Sequence, residues 1–464
     1  METNAYSERK TFCASIEHEE RSNKMFFTKI AEQASEEPRH SFFRRLIRHR
    51  YFEHYNRLVF LVLTINAAML WYGLTQAGWW SQQGINLSVL SDMVLANFAV
   101  AVLVRQQYVI NFFFWVATRA PVSWPLWIRW TLAKVYHFGG LHSGSAFAGT
   151  LWYAAFLGGL FYHQSHQLPG VPEGVMGVIM ALMALLIVIV AMAMPPVRSR
   201  FHNQFEWVHR FGGWSVLILF WVQSYMFAGS LSELVQSTSF WGLCIMTFSV
   251  MLPWLRLKKV KIDINSPSPH VALTRFDHGV TPFAGSATTI SRNPLLEWHS
   301  FANVPSPDEE GFRLTISRAG DWTGQFINDQ PEHIWVKGIP TAGVANIEVL
   351  FKRVVYIATG SGIGPCLPHL LAKEVPASLV WSTRTPRKTY GDELVDEILE
   401  AVPDALIWDT GSHGKPDLVK LAHDAVVATG AEAVICIANQ PLTQKVVYEM
   451  ELRGIPAYGA IWDS

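Results

Sequence analysis

Charge is what this sequence has least of. Only 16% of its 464 residues are Asp, Glu, Lys or Arg, against about 25% in an ordinary soluble protein. The 37 Lys and Arg cancel the 37 Asp and Glu, so no net field draws in a polyanion and no nucleic-acid partner is expected. Cysteine is also scarce. Cys13, Cys244, Cys366 and Cys436 lie far apart, with no CxxC and no His/Cys cluster at zinc spacing, which excludes a disulfide scaffold and a structural zinc site. The first 40 residues have no apolar run, so no cleavable signal peptide is expected, and they read as a flexible tail.

Apolar and aromatic residues take the place of charge. Half the residues are hydrophobic, 19 are Trp, and the mean hydropathy is +0.18. Length alone suggests about three domain-sized units. Between residues 58 and 256 only 12 side chains are charged. Six apolar stretches fall there, at 58–77, 88–108, 132–160, 174–194, 205–228 and 236–256, each near the ~20 residues that a bilayer-spanning helix needs. The links after the second and fourth carry Arg119, Arg129, Arg198 and Arg200, while those after the first, third and fifth carry no Lys or Arg. The positive-inside rule then predicts a multi-pass protein with both termini cytoplasmic and the bilayer as its partner. Trp79, Trp80, Trp124, Trp127 and Trp130 fall where aromatic belts are expected. Segment 41–57 (SFFRRLIRHRYFEHYNR) is basic and aromatic, as suits a helix lying on an anionic leaflet at the end of a cytoplasmic tail, 1–57.

From residue 257 the pattern changes. Short alternating segments broken by Pro and Gly run to about 345 and predict a small antiparallel barrel. From 346 to 464 the apolar runs KRVVYIA, ASLVWS, DALIWD and AEAVICIA alternate with helical stretches, which predicts a parallel nucleotide-binding sheet. The division expected is therefore tail 1–57, six-helix membrane domain 58–256, barrel 257–345 and α/β domain 346–464.

The strongest local signal follows the first of those strands: Thr359, Gly360, Ser361, Gly362, Ile363, Gly364 and Pro365. Glycines let a backbone approach a pyrophosphate, and the helix that Pro365 opens offers free N–H groups and a partial positive charge. A tight strand–helix turn with no ligand is the competing reading. Cys366 at the start of that helix is either a stabilised thiolate or a packing residue. Asp92, near the outer end of the second stretch, marks either a polar cavity or a solvated carboxylate.

Two further pieces lie in the barrel: Glu297-Trp298-His299-Ser300-Phe301-Ala302 and Gly320-Asp321-Trp322-Thr323. With Lys337-Gly338-Ile339-Pro340 and His413-Gly414-Lys415-Pro416-Asp417, in that order, the chain resembles the ferric reductase and NADPH oxidase superfamily, whose cytoplasmic part is ferredoxin reductase-like. In detail it is most similar to fungal TmpA-type membrane flavoproteins, a branch also found fused to adenylate-forming enzymes. The resemblance spans roughly 257–464 and extends to the six spans. It implies FAD held by His299, Ser300, Phe301 and the stretch from Gly320 to Thr323, and NADPH or NADH at the Gly-rich turn. It implies Trp462 as the carboxy-terminal aromatic that covers the flavin, with a merely packed ring as the alternative. The plasma membrane is the location it suggests.

The chain departs from that pattern in two places. Ala302 stands where a hydroxyl usually bonds the flavin ring, and Ala438-Asn439-Gln440-Pro441 replaces a Cys-Gly-Pro, with Cys436 inside the strand instead. The second strand of the α/β domain ends in Ser382-Thr383-Arg384-Thr385-Pro386-Arg387-Lys388. Its cations, Arg384 and Arg387 foremost, and the lack of an acid favour a 2′-phosphate, hence NADP; a solvated basic loop is the alternative.

The same superfamily stacks two b-type haems between its third and fifth spans. His137 and His209 match its inner-haem ligands and would lie at similar depth. The outer partners are missing: Leu151 follows His137 by 14 residues, and Val222 and Gln223 follow His209 by 13 and 14. His142, five residues from His137, is turned about 140° away. One haem at most is expected, and a structural network is the alternative, with Glu206 a ready partner for His209. The expected activity is a membrane-bound flavin oxidoreductase delivering NAD(P)H electrons to an acceptor in or at the membrane, in fungal metabolite or developmental-signal synthesis. The rivals are a flavin- or nucleotide-sensing membrane protein with little turnover and, disfavoured, a two-haem ferric reductase.

Overall fold

The computed structural model describes residues 21–24, 28, 49–81, 84–280, 282–305 and 311–459. Trp462 and the first part of the predicted surface helix, 41–48, lie outside them. Contacts divide the chain into two compact units: Glu53–Val109 with His137–Leu255, and Ile110–Tyr136 with Arg256–Ser464 and the N-terminal residues.

The first unit is helical. Its long helices are α1 (His54–Thr75), α2 (Leu87–Leu103), α3 (Gly139–Ser165), α4 (Val175–Ala193), α5 (His202–Ala228) and α6 (Thr238–Leu255), with a short hairpin, β1 (Trp80–Ser81) and β2 (Gly84–Ile85), after α1. Among the described residues five helical stretches are long and apolar enough to cross a membrane, or six if α2 is counted with Gln107–Thr118, which is bent 74° from it. Small residues let the helices meet. A Cβ on Gly140 would come 2.3 Å from the Tyr55 carbonyl of α1, and one on Gly144 would come 3.0 Å from Val62. Neutral hydrogen bonds join the same helices, from Asn97 Nδ2 to Asn66 Oδ1 at 2.8 Å and from Trp152 Nε1 to the same oxygen at 2.8 Å. The first predicted stretch extends four residues further towards the N-terminus, beginning at His54. The third is preceded by a 3₁₀ turn, Ala133–Phe138, that contains His137.

The second unit carries the remaining strands. Two antiparallel sheets form the barrel region. One pairs β3 (Leu257–Lys261), β6 (Ser286–Ser291), β7 (His299–Ala302), β10 (His333–Lys337) and β11 (Thr341–Ala342); the other has β4 (Asp263–Ser268), β5 (Val271–Phe276), β8 (Val304–Pro305) and β9 (Phe312–Ser317). Alternation is clear in β9, where Phe312, Leu314 and Ile316 are buried and face a common core. A helix, Asp321–Asp329, follows β9.

Next comes a fully parallel sheet of β12 (Val354–Thr359), β13 (Ala377–Thr383), β14 (Leu406–Asp409), β15 (Ala433–Ile437) and β16 (Ala457–Gly459), in the spatial order β14-β13-β12-β15-β16. Central strands covered on both faces need continuous apolar runs, and the first five residues of β12 are all buried. Chain order reverses between β12 and β15, which makes their carboxyl ends the topological switch point where such sheets take ligands.

Residues 110–136, part of the expected membrane domain, pack in this unit. Asn111 donates to the Pro340 carbonyl and accepts from the Ala342 amide, both at 2.9 Å. Arg129, 3% exposed, forks onto Glu432 at 2.7 and 3.2 Å and also donates to the Leu350 carbonyl at 2.7 Å. Lys134 bonds the Ala457 carbonyl at 2.8 Å and pairs with Glu451 at 2.5 Å. The predicted free tail needs correction in the same way: Asn23 exchanges two hydrogen bonds with the backbone of Ile407 on edge strand β14, and Ser22 bonds the Ala405 carbonyl. An edge strand offers unpaired backbone groups, and this short segment satisfies some of them.

Candidate functional site

Thr359 ends β12; Gly360, Ser361 and Gly362 form a 3₁₀ turn, and a helix runs from Ile363 through Gly364, Pro365 and buried Cys366 to Ala372. Each glycine has its own reason. Gly360 sits at φ +48° with its carbonyl accepting from Trp381 Nε1 at 3.0 Å. Gly362 lies so close to β15 that a Cβ would come 2.0 Å from the Ile437 carbonyl oxygen, whereas one on Gly364 would meet Thr315 of β9 at an ordinary 3.4 Å. The turn therefore occupies the switch point, and Ser361 is its exposed residue. Burial pushes the Cys366 thiol well above its usual range, and its sulfur bonds the Gly362 carbonyl at 3.2 Å, so it packs. Cys436 in β15 is pushed up to about 12 by burial.

The helix that follows this turn packs against β7, β8 and β9, so the Gly-rich motif and the strand bearing His299, Ser300, Phe301 and Ala302 adjoin. The Trp322 ring stacks on His299 at 4.1 Å, on Phe301 at 6.1 Å and on Phe326 at 5.2 Å, joining the two barrel motifs in one aromatic column. Thr323 accepts from the Ala319 and Gly320 amides at 2.9 and 3.1 Å, which fixes the start of the helix; Asp321 is its acidic first-turn residue. The first N–H groups of such a helix have no intrahelical partner, and the space beside Gly320 is open. Ser300 bonds Thr289 across the ladder at 3.0 Å.

Glu297 stands beneath the column. Burial pushes its carboxyl up. The nearby His299 and Trp322 and the amides of Arg292 and Asn293, at 2.9 and 3.2 Å, outweigh that and bring it down to about 2. At 3.7 Å from the carboxylate, the imidazole acts through space and not as a hydrogen-bond donor. His299 Nε2 and Trp322 Nε1 are buried with no hydrogen-bond partner among the described residues.

Of the two predicted 2′-phosphate cations, the structure separates the roles. Arg384 is exposed at the end of β13. Arg387 pairs with Asp392 at 3.1 Å and Asp396 at 2.9 Å, so its charge is already engaged by the next helix. An acid also lies at this end of the sheet: Asp409 holds the Thr385 amide at 2.8 Å and the Gly411 amide at 2.7 Å. Burial pushes its carboxyl up, but those donors, Ser412 and His413 together outweigh it and hold it below the usual range.

Within the helical unit, among the described residues, the histidine rings that approach each other are His54 with His137 at 6.1 Å and His142 with His209 at 5.9 Å. His137 and His209, expected to share one iron, are thus each set against a different histidine. His142 Nδ1 lies 2.8 Å from the Ala101 carbonyl. Glu206, the expected partner of His209, lies 3.4 Å from His202 instead. Sequence reasoning missed His54, which reads as part of the basic surface segment but is the first residue of α1.

It also missed a buried trio in the other unit, where Glu348 bonds His369 Nδ1 at 2.6 Å and accepts from the Tyr356 hydroxyl at 2.7 Å. Nothing in the apolar run NIEVLF signals that Glu348 turns inwards.

The family described as "Adenylate-forming reductase 03009, C-terminal domain" matches residues 344–464. Adenylate-forming reductase 03009 of Coprinopsis cinerea is 44% identical over 431 residues, covering 90% of this chain; the chain spans 41% of that relative's length. NADPH oxidase 1 of Rattus norvegicus is 36% identical over 73 residues, 15% of this chain and 13% of the oxidase. Among solved structures, a ferredoxin NADP+ reductase from Neisseria gonorrhoeae with bound FAD and NADP matches 44% of this chain and 98% of its own, at 15% identity and a TM-score of 0.35.

Proposed function

We propose that this chain is a membrane-embedded, NAD(P)H-dependent flavin oxidoreductase that passes electrons through FAD to an acceptor at or within the bilayer. The carrying observation is the packing of the helix after the Gly-rich turn on β7, which brings the nucleotide motif to the strand with the flavin motif. Reductase names among the relatives and the short likeness to an NADPH oxidase support the same class.

The residues fit a flavin nucleotide: the aromatic column of His299, Phe301 and Trp322 lies beside a helix start with free N–H groups. His299, Ser300 and Phe301 would hold its ring side, and the stretch from Gly320 to Thr323 its phosphates. Bound there, FAD supplies the conversion of a two-electron hydride into single electrons. The turn from Thr359 to Pro365 would seat the pyrophosphate of the nicotinamide nucleotide, with Arg384 taking a 2′-phosphate. Glu297 stays ionised and keeps the aromatic column oriented. No step is routed through a haem. In this reading the apolar helices are six spans of a TmpA-type flavoprotein of the ferric reductase superfamily, in the plasma membrane with both termini cytoplasmic. Its place is in fungal metabolite or signal synthesis.

Absorbance of the detergent-purified protein before and after anaerobic NADPH, with acid-released flavin quantified, tests this reading. About one flavin per chain that bleaches is expected. A flavin reduced by neither NADPH nor NADH would replace the enzyme with a sensor, and two haem equivalents would restore the ferric reductase. Arg384→Ala should cut the preference for NADPH over NADH about tenfold, while Arg387→Ala leaves it unchanged. Each good charge-assisted hydrogen bond is worth about 1.5–3 kcal/mol.

A further inference from the structure

We infer that the helix Gln107–Thr118 is an in-plane membrane anchor. One face is fastened to the barrel, and the other takes the boundary between headgroups and acyl chains of a phospholipid leaflet. The inference rests on the reading of the apolar helices as spans and adds a lipid-binding face to the strand-bearing unit itself. Direction is the first observation. Across residues 104–106 the helix turns 74° from α2, and spans tilt about 20° from the bilayer normal on average. A helix turned that far from a span lies close to the membrane plane and does not prolong the span.

The inner face is spent on protein. Ile110, Phe114 and Ala117 form one buried stripe, and Asn111 is fixed by its two hydrogen bonds to Pro340 and Ala342. A helix facing water carries polar residues opposite such a stripe. This one carries Phe112, Trp115 and Val116 there, 57%, 54% and 50% exposed. At about 100° per residue they centre roughly 180° from the buried stripe. The Phe112 and Trp115 rings stack at 6.2 Å, and the Arg119 guanidinium lies 5.0 Å over Trp115. The result is one apolar patch that ends in a cation. The loop beyond it exposes two more indoles, Trp124 and Trp127.

The chain itself selects lipid as the occupant. The segment follows one apolar helix, α2, and precedes another, α3, so a bilayer that holds those two brings its surface to this face. The composition suits that depth: Trp rings have an apolar body and a polar N–H, and an Arg on the same face reaches phosphates. Aromatic insertion, more than charge, does the holding. Arg119 is the only Lys or Arg from 110 to 128, and Arg129 is already paired with Glu432. A polybasic segment gains about 1 kcal/mol per cation near an anionic leaflet; this face has one cation to offer and therefore accepts neutral phospholipid.

The test reconstitutes the full chain in phosphatidylcholine nanodiscs that carry a phospholipid with a photoactivatable diazirine. The diazirine sits either just below the headgroup or at the end of the acyl chain, and adducts are located by mass spectrometry. The shallow probe should label Phe112, Trp115 and Val116. The deep probe should label them at least about fivefold less, since the two lie about 15 Å apart, half the hydrocarbon core. Ile65, exposed at the middle of α1, should take the deep probe. If it does not, the spans themselves fail; if it does while the Phe112 face takes no shallow adduct, or takes both probes equally, the anchor alone is overturned. Phe112→Asp with Trp115→Asp, two exposed positions, should keep the unfolding midpoint and cut the shallow adduct at Val116 at least about fivefold, because charge is costly at membrane depth. An unchanged adduct there would overturn the anchor. Exchanging a third of the lipid for phosphatidylserine should raise the shallow yield less than about fivefold, the effect of one cation; a larger rise would mean that charge, not the rings, holds the face.

Discussion

The strand-bearing unit buries charged side chains and pairs them. Arg129 and Lys134, 3% and 7% exposed, reach Glu432 and Glu451, and Glu348 serves both His369 and Tyr356. In the helical unit side-chain hydrogen bonds between helices join neutral amides, a hydroxyl and an indole: Asn66 with Asn97 and Trp152, Tyr153 with Gln223. A buried ion pair holds a loop in one register, but either partner alone is a stranded charge. A neutral pair between membrane helices is weaker, since its members find other partners when the helices separate. The contrast also explains the fate of the inner-loop cations. Arg129 reads as a topology signal in the sequence, yet its guanidinium is spent on Glu432 and the Leu350 carbonyl.

The largest effect follows from that pair. Arg129→Ala leaves Glu432 beside Lys352 without its fork and should destabilise the strand-bearing unit by about 3–5 kcal/mol. The readout is denaturant unfolding followed by flavin release. Replacing both residues, Arg129→Met with Glu432→Leu, should recover most of the loss, and failure to recover would show that the loop is held by something other than the pair.

Next in size is the nucleotide turn. Gly362→Ala places a methyl 2.0 Å from the Ile437 carbonyl oxygen. A main-chain atom cannot rotate away, so overpacking of about 1–3 kcal/mol is expected. Reduction by NADPH should fall at least about tenfold while flavin content holds. Gly364→Ala, with its nearest neighbour at 3.4 Å, should keep most activity, and equal losses would contradict the geometric distinction.

A smaller effect belongs to Glu297. Its carboxyl lies at about 2 in the folded protein against 4.5 when free. A depressed pKa contributes stability above the free value, and that contribution is lost as pH falls from about 4.5 towards 2. With partial exposure screening the charge, about 1–2 kcal/mol is expected. Glu297→Gln should therefore be less stable than the parent at pH 7, and the two should converge near pH 2. A gap that persists at pH 2 would assign the loss to packing.

The parts of this molecule written in short-range pattern were legible. Alternation gives β9, the buried run gives β12, and strand–glycine–helix order gives the turn from Thr359 to Pro365, because each is dictated by neighbours in sequence. What the sequence could not show depends on pairing across distance. The partners of Arg129, Asn23 and Arg387 lie 303, 384 and 5–9 residues away, and even the short separation at Arg387 is decided by how one helix starts. The histidines show the same limit. Spacing along a helix gives the face of His137 and His142, but their ring neighbours are set by which helices meet, and His54 enters from a segment that reads as a membrane-surface helix.

The smallest effect tests the neutral side of the contrast. Tyr153→Phe removes the hydroxyl that Gln223 Oε1 accepts, with almost no change in shape, since Tyr153 is fully buried. Were that bond as costly to break as an ion pair, the helical unit would lose several kcal/mol. Hydrogen bonds between membrane helices average about 0.6 kcal/mol, because their members find other partners when the bond is lost. The expected loss is therefore about 0.6 kcal/mol, read as a small fall in the midpoint of detergent-induced unfolding of the full chain. A loss above about 2 kcal/mol would mean that the amide has no alternative partner and that the bundle, like the strand-bearing unit, is locked by one pair.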